Sequence, residues 1–228
     1  MGFGTAITWT DDEPMHFEIL VEDQSGKKAL EIIIPQILGA NHTVKIHSYK
    51  GIGRLPKNLG PNGNADKRIL LDQLPRLLQG YGRAFVNYPA VVVLVCDLDN
   101  KCLASFREEL SNILNACNPK PVTSFCIAVE EGESWFLGDI PAIKCAYPNA
   151  KENVLRAYVN DSICGTWECL ADAVYTGGSA ALSSKGWQAV GAEKSQWSER
   201  ISPFMNVANN LSPSFNYFRG QLLKHINE

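Results

Sequence analysis

What the 228-residue chain lacks narrows its chemistry. No Cys-x-x-Cys pair and no His-Glu-x-x-His occurs, and its four histidines are scattered, so neither a zinc ribbon nor a zinc hydrolase is expected. The seven cysteines are odd in number. Cys96 and Cys126 fall in apolar runs as small core residues, and Cys164 with Cys169 is the closest pair, a weak pattern for a metal or a disulfide. A reducing cytoplasm is the expected compartment. No apolar run approaches the ~20 residues that span a bilayer, and no charged-then-apolar leader precedes a cleavage site, so neither membrane insertion nor secretion is expected. Internal repeats, low-complexity tracts and linkers are absent.

What is present is organised around Ala90-Val91-Val92-Val93-Leu94-Val95-Cys96-Asp97-Leu98-Asp99. An unbroken, valine-rich apolar run reads as a strand covered on both faces, the usual state in a parallel sheet. It stops at two aspartates one residue apart. In extended chain alternate side chains share a face, so Asp97 and Asp99 are expected to point the same way. Carboxylates at the carboxyl end of a buried parallel strand suit a divalent cation; the plainer alternative is that they cap the next helix.

The same grammar recurs along the chain. Phe17–Val21 reads as a first strand, followed by the turn Glu22-Asp23-Gln24-Ser25-Gly26 and a helix over 27–38 with Ser25 as its N-cap. Residues 44–48 read as a second strand. An amphipathic helix over 68–80 carries Pro75, which predicts a kink or a late start. A helix over 101–116 and a fourth strand over 124–129 follow, the latter ending in Glu130-Glu131-Gly132-Glu133. Alternating strands and helices predict an α/β three-layer sandwich with a mainly parallel central sheet of about four strands. Beyond residue 140 the pattern turns helical: short helices over 141–147 and 150–159, a turn-rich stretch over 162–178, a helix over 196–209 with Lys194 just ahead of it, and a last helix opened by Ser212-Pro213. The expected organisation is an extension over 1–14, an α/β core over 15–140 and a helical region over 141–228 packed on that core.

Charge is unevenly placed. The net charge is −3, yet Lys45, Lys50, Arg54, Lys57, Lys67, Arg68, Arg76 and Arg83 face only Asp66 and Asp72 in their segment, a local +6. Lys50, Arg54, Lys57, Lys67 and Arg68 are therefore candidates for holding a nucleic-acid backbone; an ordinary solvated face is the alternative. The glycines of Lys50-Gly51-Ile52-Gly53-Arg54 can bring amides to a phosphate, though a plain turn explains them as well.

A glutamate after the first strand and Asp-x-Asp after the third form the signature of the Toprim fold, a Rossmann-like sandwich. Phe17-Glu18-Ile19-Leu20-Val21-Glu22-Asp23-Gln24-Ser25-Gly26, Lys50-Gly51, Glu133-Ser134-Trp135-Phe136-Leu137-Gly138-Asp139 and Ser212-Pro213-Ser214-Phe215 resemble a bacterial family of Toprim-like proteins of unknown function, often encoded beside an ATPase. That family is similar to the Toprim portion of overcoming-lysogenization-defect nucleases. The resemblance implies two Mg2+ or Mn2+ ions held by Glu22, Asp97, Asp99 and a later acid, with a lysine near the end of the domain assisting catalysis. Lys194 is the best match for that lysine. Glu130, Glu131 and Glu133 compete for the later acid, and the Glu-x-Trp block favours Glu133. Hard oxygen ligands suit these ions.

Three functions follow as expectations. The first is a metal-dependent nuclease or nickase acting on DNA or RNA with an ATPase partner, in phage defence. The second is a non-catalytic subunit that binds a partner or senses nucleic acid. The third is a magnesium-dependent phosphohydrolase of a nucleotide or small phosphate ester. Homo-oligomerisation is compatible with each.

Overall fold

The computed structural model describes residues 14–56, 68–162 and 165–226; Lys57, Lys67 and Cys164 lie outside them. Four strands, β1 (His16–Val21), β2 (Thr43–Ser48), β3 (Ala90–Asp97) and β4 (Thr123–Ala128), form one sheet in the order β2-β1-β3-β4, and every pairing is parallel. This is the Toprim/Rossmann-like three-layer sandwich read from the sequence. Between the strands run α1 (Gln24–Leu38), α2 (Leu70–Ala84) and α3 (Leu103–Asn115).

Strand alternation divides the core. Phe17, Ile19, Val21, Val91, Val93, Val95, Cys126 and Ala128 join α1 and the C-terminal helices in one buried cluster. Leu20, Val92, Leu94, Cys96 and Ile127 pack under α2 and α3 in the other. Covered on both faces, β3 buries every residue from Ala90 to Cys96, and each such aliphatic side chain contributes ~1.5–3 kcal/mol. The chain leaves β1 for one edge of the sheet through α1, then returns across the opposite face through α2 to place β3 on the other side of β1. Their carboxyl ends therefore flank a crevice, where open α/β sheets bind ligands.

The C-terminal helices are α4 (Glu133–Leu137), α5 (Ile140–Ala146), α6 (Glu152–Ala157), α7 (Thr166–Val174), α8 (Gly178–Ser183), α9 (Trp187–Ile201) and α10 (Pro213–Lys224), with a 3-10 turn at Ser202–Phe204. They bury Trp197, Phe215 and Phe218 against the α1 face of the sheet. Helix α9 lies along α1, where Lys28 pairs with Glu199 at 2.6 Å. No helix among the described residues is long and apolar enough to cross a membrane. Among them Cys96, Cys102, Cys117, Cys126 and Cys145 are free, and Cys96 and Cys126 are buried.

Several elements depart from the sequence expectation. Asp23, not Ser25, caps α1: its Oδ1 accepts from the Gly26 amide at 2.7 Å, while the Ser25 hydroxyl donates to its Oδ2. Helices α7 and α8 occupy the stretch read as turns, and α9 begins nine residues before the predicted start at Gln196. Distant or flanking groups explain these differences. Glu130 supplies the N-terminus of α7 with a carboxylate, and Asp172 Oδ1 accepts from Ser179 N at 2.6 Å in the first turn of α8. Helix α9 follows Gly186, at φ 86°, and no residue of its first two turns is buried. Pro75 sits inside α2, whose first residue is Leu70.

Candidate functional site

Glu22 is the first residue after β1 and Asp97 the last of β3, so parallel pairing of the two strands sets them side by side. Asp97 N donates to Glu22 Oε2 at 3.3 Å, and the Ile52 amide gives the same carboxylate a second backbone bond. The two acids open onto a cavity of about 60 Å3 also lined by Asp23, Glu133, Lys194 and Ser198, with Ala29, Leu30, Ile33, Trp135 and Phe136 as its apolar wall. Gly132 stands beside Asp97; a Cβ there would lie 3.9 Å from Oδ1.

The electrostatics are out of balance. Burial pushes the Asp97 carboxyl well above the usual carboxylate range, and the Glu22 and Glu133 charges push it further, against Lys194. Glu22 is raised to about 7 by burial and by the charges of Asp99 and Asp23, against the lowering effect of the two backbone amides. Burial also raises Glu133, although Lys194 opposes it at 3.0 Å. Burial works to lower Lys194, but Glu133, Glu131 and Asp97 outweigh it, so the ammonium holds its proton more tightly than a free lysine. One cation thus serves several carboxylates, and Glu22 and Asp97 lack one of their own.

The remaining predicted ligands have partners of their own. Asp99 adopts φ 50°, which breaks the alternation that would have aligned it with Asp97. Its carboxylate is 46% exposed and pairs with Lys101 at 2.9 Å. Glu130, at φ 62°, accepts from the amides of Gly165 at 2.6 Å and Thr166 at 2.9 Å, so it caps α7. Glu131 lies 3.5 Å from Lys194. Glu133, in the first turn of α4, is the acid of this trio that lines the cavity. Lys194 reaches it from the middle of α9 rather than from ahead of a helix. Among the described residues no three of His, Cys, Asp and Glu stand close enough together to hold a metal ion.

Of the predicted backbone-binding cations, Lys50 and Arg54 are exposed, and Arg68 is exposed with its Nη2 donating to Ser48 O at 2.9 Å. They lie beside the carboxyl end of β2, next to the strand that carries Glu22.

Sequence reasoning missed Asp23 and Ser198 in the cavity. Asp23 was visible as the residue beside Glu22, whereas Ser198 has no local signature. It also missed the clamp formed by the Glu-x-Trp and Ser-Pro-Ser-Phe blocks. Trp135 Nε1 donates to Ser214 Oγ at 3.0 Å, and its ring stacks on Phe218 at 4.9 Å. Asn210 Nδ2 donates to Trp135 O, and Asp161 accepts from Ser212 Oγ at 2.7 Å and Ser214 N at 2.6 Å. Any side chain at Gly138 would collide with Asn210 and Ser212. Asp139 accepts from Ala142 N and Asn206 N. These residues fasten α4 to α10 and so hold Glu133 in place.

No protein-family model, curated protein or solved structure matches the chain.

The donor chemistry fits a hard divalent ion at Glu22 and Asp97. Both are carboxylates whose mutual repulsion and burial favour any added positive charge, and no imidazole lines the cavity. The Cys96 thiol is pushed up by burial and stays protonated. Mg2+ is commonly held by one or two carboxylates, with water and substrate phosphate completing its shell, so a larger cage of acids is unnecessary.

Proposed function

We propose that this protein is a Toprim-type, Mg2+- or Mn2+-dependent phosphodiester hydrolase, a nuclease or nickase of the cytoplasm that works with an ATPase partner in phage defence. The observation that carries the reading is the contact of Glu22 with Asp97 at the sheet's crossover crevice, with Lys194 across the cavity. Glu22 and Asp97 would hold the ion. A bound divalent ion supplies Lewis-acid activation of the phosphodiester. Lys194 stays charged and offsets negative charge gathering on phosphorus. Glu133 fixes the lysine's position through their 3.0 Å pair, and the apolar wall formed by Leu30, Ile33 and Phe136 limits the water around the acids. Lys50, Arg54 and Arg68 would receive a DNA or RNA backbone beside the carboxyl end of β2.

A second reading, a non-catalytic subunit with the same fold, draws on the engagement of Asp99, Glu130 and Glu133 by Lys101, by α7 amides and by Lys194. A phosphohydrolase of free nucleotides is less supported, because the exposed Lys50, Arg54 and Arg68 beside the carboxyl end of β2 suit a longer polyanion than a single nucleotide. Plasmid DNA and single-stranded RNA incubated with the protein and Mn2+ or Mg2+ test the proposal. Cleavage is expected, with a loss of at least ~100-fold in Asp97→Asn and Glu22→Gln variants that retain the wild-type circular dichroism. Cleavage that survives both substitutions, or none by the wild type under any of these conditions, would favour the second reading.

A further inference from the structure

A second cavity, of about 180 Å3, opens on the other face of the sheet from the Glu22–Asp97 cavity, lined by His47, Tyr49, Arg68, Gln73, Arg76 and Leu77. It lies between the carboxyl end of β2 and the first turns of α2. Two arginines line this small space, and neither is ion-paired to an acid among the described residues. Both oppose the rise in proton affinity that burial gives the Tyr49 hydroxyl. Arg68 is built into position: its backbone takes φ 48°, a region bulky residues avoid, its carbonyl accepts from Lys50 N at 2.8 Å, and its Nη2 donates to Ser48 O.

The wall behind the arginines is rigid and polar. Glu18, 5% exposed in the middle of β1, accepts from His47 Nε2 at 2.5 Å, Tyr81 OH at 2.9 Å and His16 Nε2 at 2.8 Å. Burial favours its protonated form, but these three bonds outweigh it and keep the group a carboxylate. A carboxylate only accepts, so His47 carries a proton on Nε2 and its ring is held against the cavity with Nδ1 as its other polar atom. Three donors around Glu18 absorb its charge, which would otherwise oppose an anion in the cavity.

We propose that this cavity is a phosphate site, in which Arg68 and Arg76 clasp one phosphate group against His47 and Tyr49. Paired guanidinium forks match phosphate oxygens in geometry and charge. About 180 Å3 is roughly six waters' worth of room, enough for one phosphate with its water. The site shares Arg68 with the proposed nucleic-acid edge but uses neither Glu22 nor Asp97, so its binding is tested separately from hydrolysis.

Calorimetric titration of the full chain at fixed ionic strength, without added metal, tests it with two probes, inorganic phosphate and a dinucleotide carrying a single phosphodiester. At least one is expected to bind more tightly than about 1 mM, and Arg68→Gln and Arg76→Gln are each expected to weaken binding roughly tenfold or more. Both arginines are exposed, so the variants are expected to fold, with unfolding midpoints in urea to verify it. Binding is expected to persist in Asp97→Asn. A preference for the dinucleotide assigns the site to nucleic-acid backbone, and a preference for inorganic phosphate assigns it to a free phosphate. No binding of either probe by the wild type, or equal binding by the wild type and the double arginine variant, overturns the proposal.

Discussion

The carboxylate pair at Glu22 and Asp97 and the clamp formed by residues 133–139 and 212–215 carry the same sequence resemblance but are in opposite physical states. In the clamp nearly every polar group has a partner: the Trp135 indole donates to Ser214, Asp139 receives two amides and Asp161 receives a hydroxyl and an amide. At the pair, two acids face one another in partial burial with their proton affinities raised. A satisfied cluster gives stability and holds geometry, whereas an unbalanced one costs stability and marks a candidate site. A sequence motif is thus not evidence of chemistry until its charges have been accounted for.

Lys194 joins the two regions and offers the strongest test of their difference. Lys194→Met leaves Glu133, 4% exposed, without its cation, and is expected to cost about 3–5 kcal/mol in urea unfolding at pH 8. Adding Glu133→Gln to the same chain is expected to recover most of that loss. Trp135→Ala tests the clamp itself: losing the ring stacked on Phe218 is expected to cost about 3–5 kcal/mol in the same assay.

The carboxylate pair is expected to respond to pH more strongly than the clamp, where Lys194 opposes the rise at Glu133. Folded Glu22 holds its proton to about 7, against an ordinary value of 4.5, so the folded state binds more proton than the unfolded state across that window. Stability of the metal-free protein should therefore fall as pH rises from about 4.5 to about 7, by up to about 3 kcal/mol, with Asp97 adding in the same direction. Glu22→Gln should flatten that slope in urea unfolding run with a chelator; a slope that survives the substitution would assign it to other groups. The smallest effect is expected at the edge of the clamp, where Asp161→Asn removes charge-assisted acceptance at Ser212 and Ser214 and costs about 1–3 kcal/mol.

The strands and first three helices were legible because apolar periodicity is local. An apolar run such as 90–96 has few stable alternatives to a covered strand, and β1 with β3 brings Glu22 to Asp97 once both are parallel neighbours. Asp99 was misread because alternation holds only while the chain stays extended, and the backbone turns left-handed there. Helices α7 and α8 were hidden because Glu130, 35 residues ahead of Gly165, and Asp172 in the preceding helix supply their first turns. Lys194 was recognised as a candidate, but its place in α9 was not, since only Trp197, Ser198 and Ile201 of that helix are buried. Glu18 could have been noticed as a charge inside an apolar strand; its partners His47 and Tyr81 could not, because only the fold brings them within reach.

A Mn2+ titration at pH 8, read by calorimetry and by the shift in thermal unfolding, tests the central claim most directly. Saturable binding that raises the unfolding temperature of the wild type, and disappears in both Glu22→Gln and Asp97→Asn, is the predicted result. An unfolding temperature unmoved by Mn2+, or binding that persists in both variants, would contradict it.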